Sequence, residues 1–268
     1  MSGRLRVALA QFGAGLGDVD GNVARMMAQL DEAVALGVDV VCFPELCLSG
    51  YLLERSAYTD ELLDAVEAGE ARLAAAAARA GVILVFGASL RDGGDLRNAV
   101  VLCEPGGRRL VYAKTHMDVK ERRVFARGDT FVVDESTGLG LACCYDLAFP
   151  EAPRLLGLLG ARVLLVPMAW EVERGYVLAR VVAARAVENV SYVVCVNQAG
   201  TVGPFHFRGA SCVVDPLGRT VAELGPEAEL AVAEVDLALV TRLRDGSDDR
   251  AYPLLSDRRP ELYEPLAQ

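Results

Sequence analysis

The fold class is decided by residues 38–46, which read Val-Asp-Val-Val-Cys-Phe-Pro-Glu-Leu. Residues 38–43 are almost continuously apolar, which is typical of a strand buried on both faces of a sheet. A similar apolar run at 82–88 predicts a second buried strand, and residues 5–12 predict a third. Strands of this kind occur in α/β proteins, where helices cover the sheet.

Helical patterns separate these three strands. Asp20 or Asn22 can cap a first helix, whose apolar residues recur with helical spacing until Gly37. Thr59 can cap a second, alanine-rich helix that ends at Gly81. The first part of the chain is therefore predicted to have the order β-α-β-α-β.

The same order returns in the second half of the chain. Strands are expected at 138–144, 162–167 and 191–197, with helices at 150–159 and 172–188 between them. Two such halves predict an α/β fold built as a four-layer α-β-β-α sandwich. A single doubly wound sheet is the alternative, and periodicity does not decide between the two.

No linker divides the chain, so residues 1–268 are predicted to form one domain. The last segment, 244–268, is polar and contains proline, but it carries apolar anchors at 252–255 and 260–263. We expect this C-terminal tail to dock on the body of the protein or on a partner subunit.

Composition excludes several functions. The net charge of −10 argues against a partner that is a nucleic acid or an anionic membrane. Two histidines are too few for a three-histidine zinc site, and the seven cysteines form no Cys-x-x-Cys pair, which argues against a zinc site. No metal and no organic cofactor are predicted. Neither a signal peptide nor an apolar run long enough to span a membrane is present, which predicts a soluble, cytoplasmic protein.

Three reactive side chains stand at the predicted carboxyl ends of strands. Glu45 follows the strand at 38–43, Lys114 follows an apolar stretch at 108–112, and Cys144 ends the strand at 138–144. Sites in α/β proteins are built at such strand ends. A base, a cation and a thiol together predict a covalent acyl-transfer site.

The choice of Cys144 over its neighbour Cys143 rests on strand alternation. Cys143 would share a face with Leu139 and Leu141, whereas Cys144 would share the other face with Gly140 and Ala142. The face with small residues is where room for a substrate is expected.

These motifs make the chain resemble the nitrilase superfamily of carbon-nitrogen hydrolases. The matching segments are Phe43-Pro44-Glu45-Leu46 with Gly50-Tyr51, Tyr112-x-Lys114-x-His116, and Cys144-Tyr145-Asp146 with Phe149-Pro150-Glu151, in the order in which the family has them. The resemblance covers nearly the whole chain and implies the α-β-β-α sandwich. It also implies assembly into homodimers or larger homo-oligomers.

The resemblance implies a role for each matching residue. Cys144 would be the nucleophile, Glu45 the general base, and Lys114 the group that stabilises the oxyanion, assisted by the backbone N–H of Tyr145. Glu121 matches a second glutamate found in many members and is expected to position substrate or relay protons.

The substrate is predicted less specifically. Tyr51, Tyr145 and Trp170 are the expected binding residues. Residues 146–149 contain no arginine of the kind that relatives acting on α-carboxylates carry, and Asp118, Asp146, Glu171 and Glu173 could make the mouth of the site acidic. These features favour a neutral or cationic amide.

The leading hypothesis is an amidase that releases ammonia from a small linear aliphatic carboxamide through a Cys144 thioester. An N-carbamoyl amine hydrolase is the nearest alternative. A nitrilase, or a non-catalytic binding or assembly subunit, is less favoured.

Overall fold

The computed structural model describes residues 3–267, and the side chains of all of these except 174–179 and 266–267. Five helices and fourteen strands were assigned in this range. The helices are α1 (Val19–Ala35), α2 (Asp60–Ala80), α3 (Glu151–Leu158), α4 (Gly175–Asn189) and α5 (Leu237–Asp245). The strands are β1 (Arg4–Gln11), β2 (Val40–Cys42), β3 (Ile83–Asp92), β4 (Asp95–Cys103), β5 (Arg109–Ala113), β6 (Val132–Asp134), β7 (Leu139–Leu141), β8 (Val163–Met168), β9 (Tyr192–Asn197), β10 (Ala199–Val202), β11 (Phe205–Arg208), β12 (Cys212–Val214), β13 (Thr220–Glu223) and β14 (Glu229–Asp236).

The strands form two six-stranded sheets and one small hairpin. The first sheet has the order β14-β1-β2-β3-β4-β5, and the second has the order β13-β12-β9-β8-β7-β6. In the first sheet β1, β2 and β3 run parallel, and in the second β7, β8 and β9 do. Both parallel triplets are the predicted β-α-β-α-β units. The hairpin is β10–β11.

The two sheets face each other across one apolar core. Val7, Val40 and Val85 of the first sheet lie in the same buried cluster as Leu165 and Val194 of the second. Helices α1 and α2 cover the other face of the first sheet, while α3 and α4 pack against the second. The α-β-β-α sandwich is therefore confirmed, and a single doubly wound sheet is excluded.

The predicted caps of helices α1 and α2 contain one error. Thr59 caps α2 through its side chain, and Gly81 ends that helix in the left-handed conformation, as expected. The cap of α1, however, is Asp18, whose carboxylate accepts from the N–H of Gly21. Asn22, one of the two predicted caps, instead bonds the backbone of Gly15 and is buried.

The C-terminal tail begins after a helix that the sequence analysis did not identify, because α5 runs on to Asp245. Beyond it, Tyr252 is 73% exposed and Leu262 is 61% exposed in the single chain. The docking of this tail stays a prediction.

Candidate active site

The three reactive side chains meet inside the sandwich, at one end of both sheets. Glu45 lies three residues beyond β2, Lys114 follows β5 directly, and Cys144 lies three residues beyond β7. All three are buried. Glu121, in a short 3-10 turn, is buried with them, so it is not a surface acid.

Lys114 is bound by both glutamates. Its Nζ lies 2.6 Å from Oε1 of Glu45 and 2.6 Å from Oε1 of Glu121. Because an ammonium has three N–H groups, one remains for a further acceptor. A lysine buried in this way stays charged only because carboxylates pair with it.

Asn98 completes this cluster and was missed from the sequence. Its Nδ2 donates to Oε1 of Glu45 at 2.7 Å and to Oε1 of Glu121 at 3.1 Å. In the sequence Asn98 is the first residue of the apolar run Asn98-Ala-Val-Val-Leu-Cys103, which predicts only a strand. The signal was a polar side chain in a strand that is otherwise buried, which requires a partner.

The nucleophile candidate sits on a sharp turn. Cys144 has a φ of 44° and begins a 3-10 turn over Cys144–Ala148, so β7 ends before it. The strand alternation used to select Cys144 was therefore wrong at this point. The small Gly140 faces the helix layer, where an added Cβ would lie 2.7 Å from Ala161. It is the backbone turn that brings Cys144 into the site.

The backbone beside Glu45 is also unusual. Leu46 has a φ of 48°, a conformation that side chains other than glycine rarely adopt. This segment lies directly against β3 at Gly87, where an added Cβ would lie 2.2 Å from the nitrogen of Leu46. The glycine therefore makes the position of Glu45 possible.

Asp146 does not belong to the mouth of the site, contrary to the prediction. Its carboxylate is fully buried. It accepts hydrogen bonds from the hydroxyl of Tyr112 at 2.7 Å, from Thr115 and His116 beyond the lysine, and from the N–H of Cys143 at 2.8 Å. One carboxylate thus joins the segment that carries Lys114 to the turn that carries Cys144.

Two residues at the end of β9 hold other parts of the site, and both were missed from the sequence. Asn197 accepts from the N–H of Trp170 at 2.7 Å and donates to its carbonyl at 3.1 Å. Gln198 donates to the carbonyl of Glu45 at 2.9 Å and accepts from the N–H of Ala14. The backbone around the glutamate is therefore fixed from the second sheet.

Burial dominates the electrostatics. It raises the pKa of the Cys144 thiol well above its usual value, and the negative charge of Glu45 adds to this, so the resting thiol is protonated. Burial disfavours the ammonium of Lys114, but the carboxylates of Glu45 and Glu121 outweigh that effect, and its pKa lies well above the usual value. Burial likewise raises the pKa of Glu121 to about 7, against the opposing effect of Lys114.

A narrow cavity of about 30 Å³ opens onto Cys144. The three predicted binding residues line it, as do Glu121 and several residues that were not predicted. Its lining is Tyr51, Leu53, Asp118, Lys120, Glu121, Cys144, Tyr145, Ala169, Trp170, Glu171 and Phe205. Of the four acids expected at the mouth, Asp118 and Glu171 are present and Glu173 is not. Lys120 adds a cation that was not anticipated.

Two kinds of feature were not found in the described part of the chain. Among residues 3–267, no group of three or more His, Cys, Asp or Glu side chains is arranged to hold a metal ion. Within the same range, none of the helices has the length and apolar character needed to cross a membrane.

A family model for carbon-nitrogen hydrolases matches residues 6–245. The chain belongs to the carbon-nitrogen hydrolase family. The prediction of the nitrilase superfamily, and of an enzyme that hydrolyses non-peptide carbon–nitrogen bonds, is confirmed.

Two curated proteins illustrate the relationship. The "Hydrolase in pqqF 5'region" of Pseudomonas protegens is 35% identical to this carbon-nitrogen hydrolase, over 98% of the chain and 92% of that protein. An (R)-stereoselective amidase from a Pseudomonas species is 32% identical, over 95% of the chain and 92% of that protein.

Solved structures of an amidase from Nesterenkonia sp. AN1 have the same fold. A double mutant of it in complex with acrylamide superposes with a TM-score of 0.88 at 28% identity, covering 99% of this chain and 98% of that one. Another mutant of that amidase shows covalent addition of the acetamide moiety of fluoroacetamide at its active-site cysteine.

Proposed function

We propose that this carbon-nitrogen hydrolase is an amidase that cleaves small linear aliphatic carboxamides and releases ammonia through a thioester on Cys144. The observation that carries the proposal is a buried Lys114, bound to two glutamates, beside a narrow cavity that Cys144 lines. A thiol, a base and a fixed cation at one cavity are the groups that covalent hydrolysis of an amide requires.

The first half of the reaction forms the thioester. Glu45 takes the proton of the Cys144 thiol as sulfur attacks the amide carbon, since the resting thiol is protonated. The third N–H of Lys114 and the backbone N–H of Tyr145 stabilise the oxyanion. Glu45 then returns the proton to the amide nitrogen, the C–N bond breaks, and ammonia leaves.

The second half regenerates the enzyme. Glu45 removes a proton from water as the water attacks the thioester carbon, and the C–S bond breaks as the thiolate of Cys144 regains a proton. The product is a carboxylic acid. Glu121 holds Lys114 in place and contacts the cavity, which suits a role in positioning the carboxamide.

The size and charge of the cavity support a small, uncharged substrate. About 30 Å³ accommodates only a few non-hydrogen atoms before side chains must move. Tyr51, Trp170 and Phe205 supply aromatic walls, while Lys120 offsets part of the charge of Asp118 and Glu171 at the mouth. The fluoroacetamide adduct of the Nesterenkonia amidase is consistent with a short acyl group.

A panel of substrates tests the proposal. The purified protein should release ammonia from short carboxamides, with activity falling as the acyl chain lengthens. Cys144→Ala should abolish release, whereas Cys103→Ala, which removes a buried thiol at the far end of β4, should retain it. Turnover by Cys144→Ala would overturn the mechanism.

The same panel separates the alternative substrate class. An N-carbamoyl amine would yield carbon dioxide as well as ammonia, whereas a carboxamide yields ammonia alone. A preference for carbamoyl amines would make this chain an N-carbamoyl amine hydrolase acting through the same residues.

We also propose that the chain works as a homodimer or larger homo-oligomer in the reducing environment of the cytoplasm. Exposed apolar side chains on the tail and on α3, among them Tyr252, Leu262 and Leu158, support self-association. All seven cysteines are free and buried, which suits a reducing compartment. Size-exclusion chromatography with light scattering measures the oligomeric state directly.

A further inference from the structure

Asn98 occupies a position that the reaction scheme has not used. It lies on β4, fully buried, and its amide nitrogen touches both glutamates of the cluster. Its backbone carbonyl also accepts from the N–H of Lys114 at 2.8 Å. Asn98 therefore contacts the carboxylates of both glutamates through its side chain and the backbone of Lys114 through its carbonyl.

The orientation of the Asn98 amide is fixed by charge. Its two N–H groups meet one carboxylate oxygen each, whereas the reverse orientation would place the amide oxygen against two carboxylates. The Asn98 amide therefore acts as a double donor, with one hydrogen for each glutamate.

The consequence for Glu45 is that its two oxygens are made unequal. Oε1 accepts from both Lys114 and Asn98, while Oε2 is buried and has no hydrogen-bond partner in the described part of the chain. An oxygen that already accepts two strong hydrogen bonds is a weak base. The free oxygen keeps its lone pairs for a proton.

We propose that Asn98 is a positioning residue that saturates Oε1 of Glu45 and thereby presents Oε2 as the basic atom toward the thiol of Cys144. The role rests on the proposed function, because it assumes that Glu45 is the base. Asn98 also supports the second glutamate, since Oε1 of Glu121 receives its other N–H.

The donor on Asn98 also affects how the site responds to pH. A neutral donor stabilises the ionised carboxylate relative to the protonated one. Without that donor, a reaction that needs the ionised cluster should require a higher pH. The other titratable groups near the two glutamates are Lys114, Cys143, Cys144, Tyr51 and Tyr58.

Asn98→Leu is the test, because leucine keeps the size of the side chain and removes both donors. Ser89→Ala is the matched control, since Ser89 lies opposite Asn98 on β3, is equally buried, and its hydroxyl has no partner in the described region. Asn98→Asp serves as a second variant that keeps the polar shape but places a third carboxyl group beside Lys114.

The main readout is the rate at which iodoacetamide alkylates Cys144 from pH 5 to 9, followed by peptide mass mapping. In Asn98→Leu the alkylation rate at neutral pH should fall roughly 10- to 100-fold. The acidic limb of the profile, where the rate falls as the pH is lowered, should move to higher pH. Asn98→Asp should move the limb in the same direction. Ser89→Ala should leave the limb in place.

Amide turnover gives the second readout. Asn98→Leu should lower kcat with KM changed less than about threefold, as expected for a group that acts on the base and not on substrate binding. If Asn98→Leu keeps the native acidic limb, or if Ser89→Ala moves it equally, the inference is overturned and Asn98 only fills space.

The alkylation experiment also separates this inference from the proposed function. An acidic limb that depends on Asn98, in a protein that hydrolyses no amide, would refute the substrate class and leave the role of Asn98 intact. Rapid amide hydrolysis by the native protein, together with an acidic limb that Asn98→Leu leaves unchanged, would support the proposed function and refute the role of Asn98.

Discussion

Two regions of this molecule place several carboxylates around one cation, and they differ in burial. At the site, the side chain of Lys114 is 0% exposed and binds Glu45 and Glu121. On the surface, Arg91 pairs with Asp60, Asp64 and Glu67, whose side chains are 92%, 72% and 56% exposed. The distances are similar, at 2.6 Å in the site and 2.8–3.2 Å on the surface.

The comparison shows that geometry alone does not make a cluster functional. Around Arg91, water screens the charges and each pair contributes little. Lys114 and its two carboxylates are buried away from solvent, so screening is weak and each proton gained or lost changes the charge balance of the site. Displaced pKa values follow, including that of Glu121 near 7.

Removing the buried cation should have the largest effect. Lys114→Met leaves two carboxylates buried without a cation, and we expect a loss of about 3–5 kcal/mol in the free energy of unfolding. Amide turnover should fall at least about 100-fold, because the oxyanion loses its charged donor. Urea unfolding and ammonia release measure the two effects. Lys120→Met, at the mouth of the cavity, should leave stability nearly unchanged, and equal losses in both variants would contradict the comparison.

Asp146→Asn should have the next largest effect on activity. It extends the comparison to a buried carboxylate that is held mainly by neutral donors. The amide group cannot accept from all four donors, so the segment of Lys114 should shift relative to the turn of Cys144. We expect kcat to fall roughly 100-fold with little change in KM, measured by steady-state kinetics.

Asp134→Asn is the control for Asp146→Asn. Asp134 is buried and accepts from Ser136, Thr137 and Arg108, but it lies at the other end of the second sheet. The substitution Asp134→Asn should lower the free energy of unfolding without a specific loss of kcat. Similar kinetics in the two variants would remove the positioning role of Asp146.

Glu121→Gln sharpens the comparison through pH. The pKa of Glu121 is raised in the folded state to about 7, so the folded protein holds a proton that the unfolded chain releases near pH 4.5. The stability of the native protein should therefore fall as the pH rises from about 4.5 to 7. Glutamine does not titrate, so the variant should lose about 1–3 kcal/mol less over this interval. Urea unfolding at pH 5, 6, 7 and 8 measures the difference, and parallel curves would refute it.

The smallest effect belongs to the exposed cluster. Arg91→Ala should change Tm by no more than roughly 2 °C and should leave ammonia release unaltered, because its three carboxylates remain solvated. Differential scanning calorimetry measures the change in Tm, and a comparison of low and high salt shows whether dissolved ions screen the charges of this cluster. A large loss of stability would mean that burial is not what separates the two regions.

Local patterns were enough to predict much of this structure. Apolar runs and helix caps such as Thr59 identified both parallel triplets, because buried strands and capped helices depend on nearby residues. Motif order grouped Glu45, Lys114, Glu121 and Cys144, and the structure brings these four residues together. Their catalytic roles stay predictions. Strands β4 and β5 were also recognised, whereas β6, β13, β14 and helix α5 were not, since their patterns are weak.

The missed site residues share a physical reason. Asn98, Asn197 and Gln198 act through contacts between residues far apart in sequence. Their neighbours show at most that a buried polar side chain needs a partner, and they do not show which partner. Such contacts become visible only when both sheets are in place. Cys144 was predicted, but for the wrong structural reason. It was selected by strand alternation, whereas a backbone turn with a positive φ brings it into the site.

The pairing of β1 with β14 has a consequence for how the enzyme is made. Residues 4–11 leave the ribosome early, but their antiparallel neighbour at residues 229–236 is synthesised near the end of the chain. At ribosomal rates the delay is on the order of 10–40 s, during which β1 has an unpaired edge open to other chains. We therefore expect nascent chains to need protection at this edge, and enzymatic activity to arise only after translation has passed β14.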